Sequence, residues 1–281
     1  MENKISPPHF IYGTAWKEER TENCVLQALT AGFRAIDTAN QRKHYFEDGV
    51  GTALVKAYEI LGLKRTDLFL QTKFTFADGQ DHRKPYDENS KYSEQVQASF
   101  NSSLEHLRTE YIDSLVLHGP YDYQGVSPED RETWTAMEKL FHQKHVRALG
   151  LSNVNLPQLK GFFEFAKIKP VFVQNRCYAQ AKWDQEIRNF CKSQGIHYQG
   201  FSLLTANTKV FSGVKASAFL KSLMVETKKQ LPQLVFRFSQ QIGMIPLTGT
   251  TSLENMKMDQ DIQDFELSPD QMASFENLAS L

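Results

Sequence analysis

A chain of 281 residues with 32 Lys and Arg against 33 Asp and Glu has a formal net charge of -1, which removes the electrostatic footprint of a nucleic-acid binder or a polybasic membrane binder. Hydrophobic residues at 41% and charged residues at 23% form an ordinary globular mix, excluding disordered and collagen-like classes. No apolar run approaches the roughly 20 residues of a membrane span, and Met1 to Pro8 lacks an apolar signal core. The cysteines Cys24, Cys177 and Cys191 are odd in number and widely spaced, so a reducing cytoplasmic setting is expected.

Short apolar or β-branched runs follow one another along the chain: Phe10-Ile11-Tyr12, Ala35-Ile36, Leu68-Phe69-Leu70, Leu115-Val116-Leu117, Ala148 to Leu151, Val171-Phe172-Val173, His197 to Phe201 and Met244-Ile245. Each predicts a strand. Between them lie stretches with helical spacing, such as Val96, Phe100, Leu104 and Leu107, or Ile187, Phe190 and Cys191. Eight alternating units, with no Pro/Gly/Ser linker and no charge block, predict one α/β domain over residues 1–281, a parallel (β/α)8 TIM barrel. Pro232 should split the long unit from Lys215 to Gln241 into two helices. Thr75 to Asn89, rich in Asp, Gly and Lys, reads as a loop above the third strand.

Barrels of this kind place chemistry at the C-terminal strand ends. There the sequence offers Asp37 after strand two, Lys73 after strand three, His118 after strand four, Ser152-Asn153, Gln174, Ser202, and Thr248 to Thr251 after the later strands. A carboxylate, an ammonium and an imidazole from neighbouring strands could meet, and Tyr45 would complete a proton-transfer set if Lys73, held by Asp37, lowers the phenol pKa. The same residues have plain structural readings: Asp37 as a helix cap, Lys73 as a surface cation, His118 as a turn histidine, Tyr45 as packing. No His/Cys/carboxylate cluster has metal-ligand spacing, so no metal is expected.

Several ordered motifs resemble the aldo-keto reductase superfamily. Gly32-Phe33-Arg34-Ala35-Ile36-Asp37-Thr38-Ala39 is similar to its Gly-Phe/Tyr-Arg-x-Ile-Asp-Thr-Ala stretch, and Tyr111-Ile112-Asp113 through His118-Gly119-Pro120 to its Tyr-x-Asp-x-x-x-x-His-x-Pro stretch. Thr72-Lys73, Gly150 to Asn153, Val173-Gln174 and Ile245-Pro246 also match, and the likeness runs from about Phe10 to the C-terminus. The resemblance implies reduction of a small-molecule aldehyde or ketone with NADP(H), or alternatively NAD(H), as hydride carrier. Tyr45 would be the acid, Lys73 and Asp37 would tune it, and His118 would orient the carbonyl oxygen.

By the same likeness Gly13, Thr14, Ala15 and Asp37 would border the cofactor, and Ser152, Asn153 and Gln174 would hold its carboxamide. Phe201 would stack on the ring, and Ser202, Leu204 and Thr205 would cover the pyrophosphate. Gly249, Thr250, Asn255 and Asp259 would take the adenosine end; Thr251 with Glu254 also fits a capping box. Trp16, Phe74, Tyr121 and Tyr123 are candidate substrate walls, or equally rim packing.

The chain departs from the pattern in three places. The loop from Asn40 to Glu47 is two residues longer, so counting back from Glu47 lands on His44 while only Tyr45 offers a phenol. Positions matching Gly249 and Asn255 carry basic residues in many relatives; Lys257 is the nearby substitute. Thr75 and Gly119 stand where some relatives carry Trp, predicting an open pocket. A monomer is expected. The rival from another class is a slow or non-catalytic nucleotide-sensing barrel that binds NADP(H) and a protein partner.

Overall fold

The computed structural model describes residues 6–281. Strands and helices alternate as β1 (Ile11–Gly13), α1 (Thr21–Thr30), β2 (Ala35–Asp37), α2 (Glu47–Leu61), β3 (Phe69–Phe74), α3 (Tyr92–Leu107), β4 (Ile112–Leu117), α4 (Pro128–His142), β5 (Val146–Ser152), α5 (Leu156–Phe165), β6 (Phe172–Arg176), α6 (Gln185–Gln194) and β7 (His197–Phe201). Then follow α7 (Thr208–Phe211), α8 (Val214–Thr227), α9 (Leu231–Gln241), β8 (Met244–Thr248), α10 (Leu253–Gln260) and α11 (Pro269–Glu276). The strands close in sequence order, with β1 pairing both β2 and β8 in parallel. Each predicted strand is present, and Pro232 stands in the first turn of α9, as a residue without an amide hydrogen allows there.

Closure divides the interior in two. Residues one apart on a strand face opposite ways, so on β3 Phe69, Gln71 and Lys73 point into the barrel while Leu70 and Phe74 join the outer core under the helices. The inner floor is Ile11, Ala35, Phe69, Ala148, Phe172, Ile245 and Leu247. Above it the same inward rows turn polar. Burying such polar groups is tolerable only when they satisfy one another; most do, as described below, with the Ser114 hydroxyl left without a partner among the described residues.

The helices pack tightly outside this wall. At Gly51 in α2 a side chain is impossible without displacement, since a Cβ would stand 1.9 Å from the carbonyl oxygen of His106 in α3. The expected cap of α10 shifts by one residue: Ser252, not Thr251, is the N-cap, its hydroxyl accepting from the Asn255 amide. The predicted loop after β3 is not merely superficial, for Gln80 and Tyr86 are buried. Among the described residues no helix is long and apolar enough to cross a membrane.

Candidate active site

β2 ends on Asp37, and the register Asp37 to Gln71 puts β3 beside it with Lys73 one inward step further up. The Lys73 ammonium donates to Asp37 Oδ1 at 2.6 Å, to Oδ2 at 2.7 Å and to the Thr38 carbonyl at 2.8 Å. That commits all the hydrogens an ammonium has. Asp37 Oδ1 accepts in addition from Gln71 at 2.8 Å and Gln174 at 3.0 Å, and both amides also donate to Gln199 Oε1. Gln199 returns a hydrogen bond to Gln71. The ion pair thus sits on a plate of buried amides above the apolar floor.

The long loop after β2 turns back at Gln41, whose carbonyl accepts from the amides of both His44 and Tyr45. The two side chains then diverge. His44 packs at a tilt against Trp16, with ring centroids 4.1 Å apart, and its Nδ1 bonds Gln41 Oε1 at 2.9 Å. Tyr45 goes inward, edge-on to His118 at 5.8 Å, with the Lys73 ammonium 5.2 Å from its ring centroid. Spacing alone pointed to His44; the tertiary fold brings Tyr45 to the buried ion pair.

The electrostatics differ from the expected lowering of the phenol. Burial, and then the Asp37 carboxylate, push the Tyr45 pKa above the ordinary phenol range. Lys73 faces the ring rather than the hydroxyl, so it provides no offsetting hydrogen bond. Burial also pulls the Lys73 ammonium downward, with Asp37 opposing. His118 is held well below the usual histidine range by burial, by Lys73 and by His44, so its imidazole is neutral.

A cavity of about 1980 Å³ opens over this end of the barrel, larger than a typical small-ligand pocket. Of the expected residues, Asp37, Tyr45, His118, Gly13, Ala15, Ser152, Asn153, Gln174, Phe201, Ser202, Leu204, Thr205, Gly249, Thr250, Asn255 and Asp259 line it, as do Trp16, Tyr121 and Tyr123. Three do not. Lys73 lies beneath the surface in its ion pair; Thr14 is fully buried, its hydroxyl donating to the Asp37 carbonyl; and Phe74 points outward against Phe76 and Tyr86. The alternation of β3 requires that outward turn, so Phe74 is no wall, and Phe76, edge-on to Tyr121, takes the place.

Ser152 Oγ donates to the Gln174 carbonyl and Asn153 Nδ2 to the His118 carbonyl, both at 2.7 Å. The Asn153 and Gln174 side chains are held through their amide nitrogens, Nδ2 on the His118 carbonyl and Nε2 on Asp37 and Gln199, which leaves both amide oxygens without a partner among the described residues. Asp259 accepts from the Thr248 hydroxyl at 2.8 Å, and its burial raises its pKa to about 7.

Lys17 was not anticipated. It is 6% exposed, its ammonium donates to the carbonyls of Gly249 and Ala15, and it makes no carboxylate contact among the described residues. A Cβ on Gly249 would come 3.4 Å from the Lys17 nitrogen, so a cation from the β1 loop stands where a side chain at 249 would reach. Lys257, the expected substitute, is exposed and off the cavity. Gln71 and Gln199 were also missed, though a polar residue two positions from Lys73 on one strand falls on its face by period alone.

The model of the Aldo/keto reductase family matches residues 10–280. The uncharacterized oxidoreductase YtbE of Bacillus subtilis is 29% identical over 274 residues, covering 97% of this chain and 89% of its own. Glyoxal reductase of the same organism is 29% identical over 281 residues, covering 99% and 91%. Among solved structures, an aldo/keto reductase from Brucella melitensis superposes with a TM-score of 0.79 at 26% identity, over 96% of this chain and 95% of that one.

Proposed function

The chain belongs to the aldo/keto reductase family, and from that premise we propose that it reduces a small aldehyde or ketone to the alcohol, using NADPH or NADH, with Tyr45 as proton donor. The observation that carries this reading is the convergence of Tyr45, His118 and the Asp37–Lys73 ion pair at one end of the barrel. The relative named as a glyoxal reductase supports a small carbonyl substrate.

The residues present fit a nicotinamide dinucleotide. The amide oxygens of Asn153 and Gln174, without a partner among the described residues, suit the N–H groups of a carboxamide, and the buried Lys17 ammonium, with no carboxylate contact among those residues, suits a phosphate. The reduced nicotinamide supplies the hydride. His118, neutral, donates from a ring N–H to the carbonyl oxygen and favours the charge that develops there. Tyr45, an ordinary phenol already protonated at neutral pH and pushed further up by burial, releases its proton as the oxygen becomes basic. Asp37 holds Lys73 against the ring of Tyr45, where the ammonium's field favours the phenolate left behind.

One observation favours the sensor reading: the Tyr45 hydroxyl has no hydrogen bond to Lys73, whose hydrogens go to Asp37 and Thr38. Absorbance at the reduced-nicotinamide band separates the two, using NADPH and NADH in parallel with glyoxal and a panel of simple aldehydes and ketones. Oxidation that requires the carbonyl and disappears in Tyr45→Phe, with cofactor binding retained, supports the reductase. Tight cofactor binding with no turnover on any carbonyl overturns it in favour of the sensor.

A further inference from the structure

His118 has one ring nitrogen accounted for. Its Nδ1 lies 2.7 Å from the hydroxyl oxygen of Thr75, while Nε2 has no partner among the described residues, and the side chain lines the cavity. A neutral imidazole carries one N–H, and which nitrogen holds it decides whether the ring offers the cavity a donor or an acceptor. The Thr75 side chain has no hydrogen-bond partner besides Nδ1 among the described residues. If Thr75 accepted from Nδ1–H, its own hydrogen would be idle in a site where Thr75 is 6% exposed, and an idle buried donor is costly.

We propose that Thr75 is a positioning residue that sets the tautomer of His118: its hydroxyl donates to Nδ1 and so places the ring hydrogen on Nε2, the nitrogen left to the cavity. The consequence for turnover rests on the reductase reading above; the tautomer itself does not. Both partners are held for the task. The His118 amide donates to the Phe74 carbonyl at 2.9 Å, and the His118 carbonyl accepts from Asn153. The Thr75 carbonyl accepts from the Tyr86 hydroxyl and from Gln80. Its methyl occupies space left by Gly79, where a Cβ would come 2.6 Å from Thr75 Cγ2. Gly79 therefore leaves room for the rotamer that turns the Thr75 hydroxyl toward the imidazole.

Nitrogen-15 spectra of histidine-labelled protein test the assignment directly, in the wild type and in Thr75→Val and Thr75→Ser, the His118 signals being identified by their loss in His118→Gln. The wild type and Thr75→Ser are expected to show His118 protonated at Nε2 and accepting at Nδ1. Thr75→Val should show mixed or Nδ1-protonated ring signals. In the assay, Thr75→Val should lower kcat by roughly ten-fold or more, up to the about 10²–10³-fold of an oxyanion donor removed outright, with cofactor affinity by fluorescence unchanged and Thr75→Ser restoring most of the rate. Nδ1 protonation in the wild type overturns the proposal without any variant, and so does a Thr75→Val protein that keeps the Nε2 hydrogen. A wild type with the Nε2 hydrogen that reduces no carbonyl supports the tautomer assignment while overturning the reductase reading, so the two failures are distinguishable.

Discussion

At Asp37 one buried carboxylate answers the Lys73 ammonium and the amides of Gln71 and Gln174. Removing its cation should be costly: Lys73→Met leaves the carboxylate uncompensated, and a buried pair broken on one side loses about 3–5 kcal/mol. Denaturant unfolding should show that loss in Lys73→Met and a partial recovery in the double variant Asp37→Asn/Lys73→Met. Tyr45→Phe keeps the ring against His118 and removes only the hydroxyl, so stability should hold while kcat falls by on the order of 10²-fold or more, measured by nicotinamide absorbance. Asp259 gives a pH dependence. Its folded pKa of about 7 lies above the 3.8 of a free carboxyl, so the folded state binds the extra proton between those values and stability declines as pH rises through that window. Asp259→Asn can still accept from Thr248 and should raise the melting temperature at pH 8, by an amount worth up to about 4 kcal/mol, with little effect near pH 4. Equal effects at both pH values would remove burial as the cause.

Elements were legible where local chemistry decides them. The apolar runs located the strands, and Pro232 located the start of α9 because proline fits a first helical turn. The cap of α10 was misplaced by one residue, since Thr251, Ser252 and Thr250 all carry hydroxyls and only backbone geometry selects Ser252. Thr75 to Asn89 shows the limit of composition: its polar residues suggested a surface loop, yet Tyr86 and Gln80 turn inward to hold Thr75. Between elements, α2 and α3 touch at Gly51. Gly51→Ala gains intrinsic helix propensity of about 1 kcal/mol, but its Cβ would overlap the His106 carbonyl, and overpacking costs typically 1–3 kcal/mol. A net loss in urea unfolding is expected; a gain would mean the two helices separate freely.

Across the whole molecule, the seam between β1 and β8 is where the first and last strands meet, and Lys17 crosses it to reach Gly249, 232 residues away. Tyr12 reinforces the seam through its hydroxyl to the Thr250 carbonyl at 2.9 Å. A cation placed there, partly desolvated and with no carboxylate contact among the described residues, implies that Lys17→Met weakens binding of both NADPH and NADH by roughly ten-fold, about 1.4 kcal/mol, and flattens the salt dependence of binding. Fluorescence titration at two ionic strengths checks it; unchanged affinity for both cofactors would leave Lys17 as a strut across the seam.

The sequence by itself determined the alternation of strands and helices, the family likeness, and the placing of Asp37, Lys73 and His118 at strand ends. Those follow from periodicity and from the polar residues that succeed each apolar run, both local along the chain. Only the tertiary structure decided that Tyr45 rather than His44 turns inward, that the Tyr45 pKa moves up rather than down, and that Lys17 and Thr75 join the site. Each of these depends on tertiary contact, because desolvation and contacts between residues 43 or 232 positions apart exist only once β3 has paired with β4, β1 has met β8 and the loops lie over the mouth.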